Sequence, residues 1–252
     1  MRSLSENQER RLLDYLDEKY LGIHEEHSKR HEPGSKLATL RTYLEAMRVL
    51  LTLTLQVPPI STSGMLRISL LLRLTGTVIE DTSGYAPDSV DLAPLLEWLD
   101  LLDRGWLSVL CMQGWDPARG EGVDLPPHLL ERAPPPTQTD CTRIHSLLVT
   151  GTSTLEDWME GKRKDEVENL VHDMRRLGYQ SSFDELFHRT FTKLRELGPD
   201  EGRDEEELLA GLPSWDTAVE GPNVDEYGDE GGGGMSEDMV NIDRSDDDME
   251  EA

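Results

Sequence analysis

Cysteine is scarce in this chain: only Cys111 and Cys141 occur in 252 residues. Two cysteines are too few for a disulfide framework. Both fall in apolar helical surroundings, where a free thiol packs as a small hydrophobe, so a reducing compartment is expected. Long apolar runs are missing as well. The most apolar stretch, Met65 to Ile79, is interrupted by Arg67 and Arg73 and falls short of the roughly 18 residues that a bilayer span needs. The opening M-R-S-L-S-E-N-Q-E-R-R has no apolar signal core and carries too many carboxylates for a usual organellar presequence. Cytosol or nucleus is the expected location. Lys162, Arg163 and Lys164 make a short basic cluster that suits either a nuclear import signal or a solvated helix face.

Positive charge is also in short supply, with 25 basic residues against 51 acidic ones. From Pro199 to Ala252 there are 20 acidic and 2 basic residues, a net of -18, which leaves -8 for residues 1–198. A nucleic-acid binder needs a basic patch, and here both portions would repel a phosphate backbone. Basic partners are favoured instead. The motifs of common enzymes are absent too: no G-x-S-x-G elbow, no P-loop and no dinucleotide glycine fingerprint. No repeat of 20 to 50 residues is evident.

Hydrophobic residues at helical spacing are plentiful. In Met65–Ile79, Leu66, Ile68, Leu70, Leu71, Leu72 and Leu74 point in every direction around a helix, and such a helix belongs inside others. Ser5 with Gln8 makes a capping box for a first helix carrying Leu12 or Leu13, Leu16 and Tyr20. Ser35 is placed to cap a second, with Leu37, Leu40, Leu44, Met47 and Leu51 in phase until Pro58-Pro59. Asp88 or Ser89 caps a long helix from Leu92 to Leu110. Gly105 inside it marks either a close crossing or a division into two helices. Trp98, Trp106 and Trp115 should dominate burial in this region.

Six prolines and two glycines between Asp116 and Thr137 predict a loop without regular structure. Thr139 or Asp140 then starts a short helix ended by Gly151. Ser153 with Glu156 starts another that runs on to Leu177, divided or not at Gly161. Ser182 with Glu185 begins the last helix, which carries Phe183, Leu186, Phe187, Phe191 and Leu194 and stops at Gly198-Pro199. The expected fold is therefore all-α: a single irregular bundle of about six to eight helices around a buried central helix. It should occupy residues 1–198, with the Pro-rich loop at 116–137. Residues 199–252 are highly charged, contain four consecutive glycines, and cannot offset about 1 to 2 kcal/mol per residue of ordering entropy. A disordered acidic tail is expected.

Several constellations bear on function. His24, His27 and His31 lie three and four residues apart, so a continuous helix would project all three from one side towards a shared zinc ion. That spacing does not match H-E-x-x-H, and a polar helix end in water is the competing reading. Asp100 and Asp103 beside Arg104 read as ordinary surface charge rather than an acid–base pair. Leu208, Leu209, Leu212 and Trp215, within 204–216, lie past the expected domain end and resemble a short amphipathic docking motif for a partner groove. Packing back on the chain's own body is the other reading. Ser245 before Asp246, Asp247 and Asp248 suits an acid-directed kinase. Together these imply a non-enzymatic interaction protein without a cofactor: an adaptor, complex subunit or assembly chaperone. Its acidic tail would engage a basic protein of the histone or ribosomal class. An enzyme with a metal at the histidine cluster is the alternative.

If the acidic tail contributes no core, a chain ending at Gly198 should unfold cooperatively with a melt comparable to the full-length protein. Loss of the cooperative transition on truncation would refute that boundary.

Overall fold

The computed structural model describes residues 1–160, 176 and 178–198. Helix α1 (Glu6–Ser28) begins at the anticipated capping box: Ser5 accepts from the Gln8 amide and the Gln8 side chain accepts from the Ser5 amide. Leu16 and Tyr20 are buried on its inner face. Helix α2 (Leu40–Leu55) starts later than Ser35 would place it. Thr39 and Thr42 form its capping box, while Ser35 accepts from the Leu37 amide in the preceding turn. Either hydroxyl satisfies an orphan N–H, and the apolar phase alone does not choose between them.

Helix α3 (Thr62–Thr82) is the central helix. Leu71 and Leu74 are fully enclosed, and Ile68, Leu70, Val78 and Ile79 are buried around them. It packs on α2, on α4 (Ser89–Leu110) and on α6 (Gln138–Glu160). The enclosure is not complete. Met65, Ser69, Arg73 and Glu80 form an exposed stripe along α3, and Arg67, which reads as an interruption of the apolar run, is 1% exposed. Its guanidinium donates to the Gln113 carbonyl at 2.6 Å and to the Ser108 hydroxyl at 2.8 Å. Burial lowers its pKa to about 10, which still leaves it cationic at neutral pH. Trp106 donates to the Thr75 hydroxyl at 3.1 Å, a second polar tie between α4 and α3.

Helix α4 is capped by Asp88, whose carboxylate accepts from the Val90 amide. It runs unbroken through Gly105. A β-carbon at that position would lie 3.0 Å from Leu55 of α2, so the glycine marks a close crossing and not a division. The same physics joins what reads as two helices around residue 150. Gly151 lies inside α6, where a β-carbon would collide with the end of Ile79. The Ser153–Glu156 pattern therefore starts nothing, because the backbone there is already helical. The true start of α6 is at Thr137, which exchanges hydrogen bonds with Asp140.

The segment 116–137 departs most from expectation, because it contains regular structure. Strands β1 (Gly114–Asp116) and β2 (Glu121–Val123) pair antiparallel, with Trp115 opposite Gly122. Asp116 closes the turn by accepting from the Ala118 amide, and Gly120 adopts φ +64, a left-handed conformation that glycine takes without steric cost. Gly122 lets the ribbon lie on α4, since a β-carbon there would meet Ser108 at 2.9 Å. Three-residue strands are too short to show a period of two. Helix α5 (Pro127–Leu130) follows, and Leu129 and Ala133 bury Ile60 in a small separate cluster.

The last anticipated helix is two: α7 (Gln180–Asp184) and α8 (His188–Leu197), separated by Phe187 at φ 57. These described residues belong to one compact unit, Met1–Arg203. The sequence reading of 161–175, Leu177 and 199–252 lies outside the described residues. That covers the basic cluster at Lys162–Lys164, the acidic tail, the docking motif and Ser245. Among the described residues, no helix is long and apolar enough to cross a membrane.

Leu71 has no exposed surface, so Leu71→Ala is expected to cost about 2 to 5 kcal/mol through lost burial and a residual cavity. Chemical denaturation measures it. An effect below about 0.5 kcal/mol, the usual range of surface substitutions, would remove α3 from the centre of the fold.

Candidate functional site

The three histidines are not brought together. His24 and His31 are exposed, whereas His27 is buried where the end of α1 meets α2 and α3. Its Nε2 lies 3.2 Å from the Asp81 carbonyl and its Nδ1 lies 3.6 Å from the Asp81 carboxylate. The rings of Tyr43 and Tyr85 flank it at 5.5 and 5.3 Å. Tyr43 donates to the same carboxylate at 2.8 Å, and Arg30 donates to the Gly84 carbonyl at 2.8 Å. The result is a polar seam that fastens the end of α1 to the end of α3. No group of three or more potential metal ligands gathers among the described residues.

Asp100 and Asp103 also differ from the surface reading. Asp103 is 3% exposed and accepts from the Thr190 amide at 3.0 Å and the Thr190 hydroxyl at 2.6 Å. Arg189 reaches Asp100 at 2.8 Å and Asp103 at 3.0 Å. Phe187, at the N-cap of α8, has no side-chain acceptor to offer. Asp103 of α4 therefore supplies the cap from another helix, a carboxylate at the positive end of the α8 dipole. The link is structural. Its only sequence trace was an aspartate facing the apolar side of α4.

A depression of about 810 Å³ lies between α6 and the α7–α8 pair. Its wall from α6 carries Cys141, His145 and Val149; opposite stand Leu186, Phe191 and Arg195. Leu186 and Phe191, read as core, are half-buried here. His145 meets the edge of Phe191 at 5.6 Å. Cys141 and His145 are one helical turn apart, but burial and the neighbouring Asp140 raise the Cys141 thiol pKa. A cysteine nucleophile needs the opposite shift. Glu156, Asp184 and Glu185 share the rim with His188 and Arg195, so the depression is amphipathic and of mixed charge. It has the size of a ligand or peptide groove. Comparison with protein-family models, curated proteins and solved structures finds no match for this chain.

Two predictions test these assignments. Asp103→Ala leaves the Thr190 amide without its acceptor and removes one of the two carboxylates that Arg189 reaches, at a cost of about 1 to 3 kcal/mol, and should exceed the effect of the half-exposed Asp100→Ala. Equal losses in denaturation would refute the trans cap. For His27, burial lowers the pKa, with Asp81 opposing and Arg30 adding to the shift. The folded state then binds fewer protons than the unfolded chain, so stability is full above about pH 6.5 and declines as pH falls towards the folded value. His27→Gln should flatten that decline in denaturation curves between about pH 7 and pH 5; an unchanged slope would contradict it.

Proposed function

We propose that this protein is a non-enzymatic interaction module, an adaptor, complex subunit or assembly chaperone, whose acidic segment engages a basic protein surface. The observation that carries this reading is the uneven charge. Residues 199–252 hold a net of -18 out of -26. A concentrated negative charge attracts a cationic partner over several ångströms without fixed geometry and speeds the encounter. A histone or ribosomal protein has the required surface chemistry.

The folded body supports the same reading. Its polar networks around His27, Arg67 and Asp103 each tie one helix to another, and none presents a nucleophile–base pair. The amphipathic depression beside α8 offers an apolar strip of Val149, Leu186 and Phe191 with charges at its edge, the arrangement that accepts an amphipathic peptide or helix. On this reading charge recruits the partner, and the groove or the motif at Leu208, Leu209, Leu212 and Trp215 adds salt-resistant contact. The protein belongs in the nucleus or cytoplasm.

The test is a titration of a core histone and of a basic ribosomal protein at low and high salt, using full-length protein, the chain ending at Gly198 and Trp215→Ala. Screening shortens to about 3 Å at 1 M salt, so charge-driven binding should fall steeply. Truncation at Gly198 should abolish it. Equal binding by the truncated chain would overturn the role of the acidic segment. Salt-resistant binding lost in Trp215→Ala would replace recruitment by charge with a docking motif.

A further inference from the structure

In a chain of net charge -26, a concavity whose described lining holds several cations and no carboxylate is unexpected. One exists beside the β-hairpin: a pocket of about 290 Å³ lined by Arg48, Arg104 and Arg119 together with Trp115, Leu101 and Leu55, and, among the described residues, by no aspartate or glutamate. The three arginines come from three elements, α2, α4 and the hairpin turn, so their convergence is made by the fold and not by spacing on one helix. Two are held in place. Arg104 donates to the Gly120 carbonyl at 3.0 Å and pairs with Asp100 at 2.8 Å. Arg119 pairs through Nε with Glu121 at 2.9 Å, and its backbone is set by the Asp116 turn. Arg48 is exposed and has no ion-pair partner among the described residues. Gly120 completes the wall, since a β-carbon there would press on Leu101 at 3.3 Å.

We propose that this pocket binds a phosphorylated side chain of a partner protein. A phosphate monoester carries close to two negative charges and three acceptor oxygens, and the guanidinium fork matches it with paired hydrogen bonds. Arg48 supplies the uncommitted charge; Arg119 turns its terminal nitrogens to the phosphate while Nε keeps Glu121; Arg104 positions the rim. The apolar floor of Leu55 and Leu101 and the Trp115 wall receive the carbon stem of the phosphorylated residue. The volume sits at the small end of ligand pockets, which suits one phosphorylated side chain. The strongly negative remainder of the molecule disfavours a nucleic acid, whose many phosphates would meet that repulsion along its length. The proposal does not depend on the role of the acidic segment.

The experiment uses full-length protein and a fluorescein-labelled peptide, Ala-Gly-phosphoserine-Gly-Ala, read by anisotropy, with the Trp115 indole N–H followed by NMR and assigned through Trp115→Phe. Saturable binding that perturbs the Trp115 signal is expected. Arg48→Gln and Arg119→Gln should each weaken it about tenfold or more, as loss of a charge-assisted contact does. Arg10→Gln, on exposed α1, should leave it unchanged. No binding up to about 1 mM, the weakest range of specific recognition, would overturn the proposal. So would equal binding of the unphosphorylated peptide, or an equal loss in Arg10→Gln. Inorganic phosphate competing as tightly, mole for mole, as unlabelled phosphopeptide would replace the partner side chain with a free anion and overturn that assignment.

Discussion

A buried cation governs how this molecule closes. Arg67 stands in the second turn of the central helix α3, 1% exposed, and no carboxylate among the described residues pairs with it. Leaving a guanidinium in that position without acceptors is too costly for a marginally stable fold, so neutral oxygens must meet it. They come from the end of α4. The Ser108 hydroxyl takes one nitrogen and the Gln113 carbonyl another, both next to the negative end of the α4 dipole. Meeting Arg67 therefore fixes how far α4 extends, where the chain turns, and where β1 begins. Cys111 and Met112 form that turn, with Met112 at φ 55, and the hairpin that follows is laid against the same helix.

Polar ties of this kind recur at each attachment to the central layer. Thr75 receives the Trp106 indole, and Trp158 donates to the Tyr85 carbonyl at 2.8 Å. Asp103 caps α8, and Asp81 holds both His27 and Tyr43. Leucine packing supplies most of the burial but is indifferent to small shifts along a helix; the directional bonds select one register. They also commit the ionisable residues at these places to contacts between helices. Each has its charge or lone pair committed to another helix. The two concavities on which the proposals rest, the amphipathic depression beside α8 and the arginine pocket at the hairpin, lie at the surface.

The helical class, the central position of α3 and the first cap were legible because they rest on local signals, apolar phase and a hydroxyl three residues ahead of its partner. What the sequence concealed is non-local. Gly151 carries the mark of a helix end, yet it is a crossing with Ile79, and only the approach of α3 distinguishes the two. Gly105 fits those same two readings by sequence, and only Leu55 packed against it decides for the crossing. Asp103 looks like surface charge until α8 is placed over it. The histidine spacing promised one face, but α1 ends before His31 and turns only His27 inward. The arginine pocket had no linear trace at all, since its three cations are separated by 56 and 15 positions. Short strands of three residues escape any periodicity argument.

Anchored through Arg67 and Thr75, α3 is expected to be the last element to open. Native-state hydrogen exchange followed residue by residue, over increasing sub-denaturing urea, tests it directly. The amides of Leu70 to Thr75 should exchange only through global unfolding, with the same free energy and the same urea dependence as the whole molecule. The amides of α8 should open earlier. If α3 exchanged through a smaller, urea-insensitive opening while α1 or α2 stayed protected, the fold would be organised around another helix and the account would be wrong.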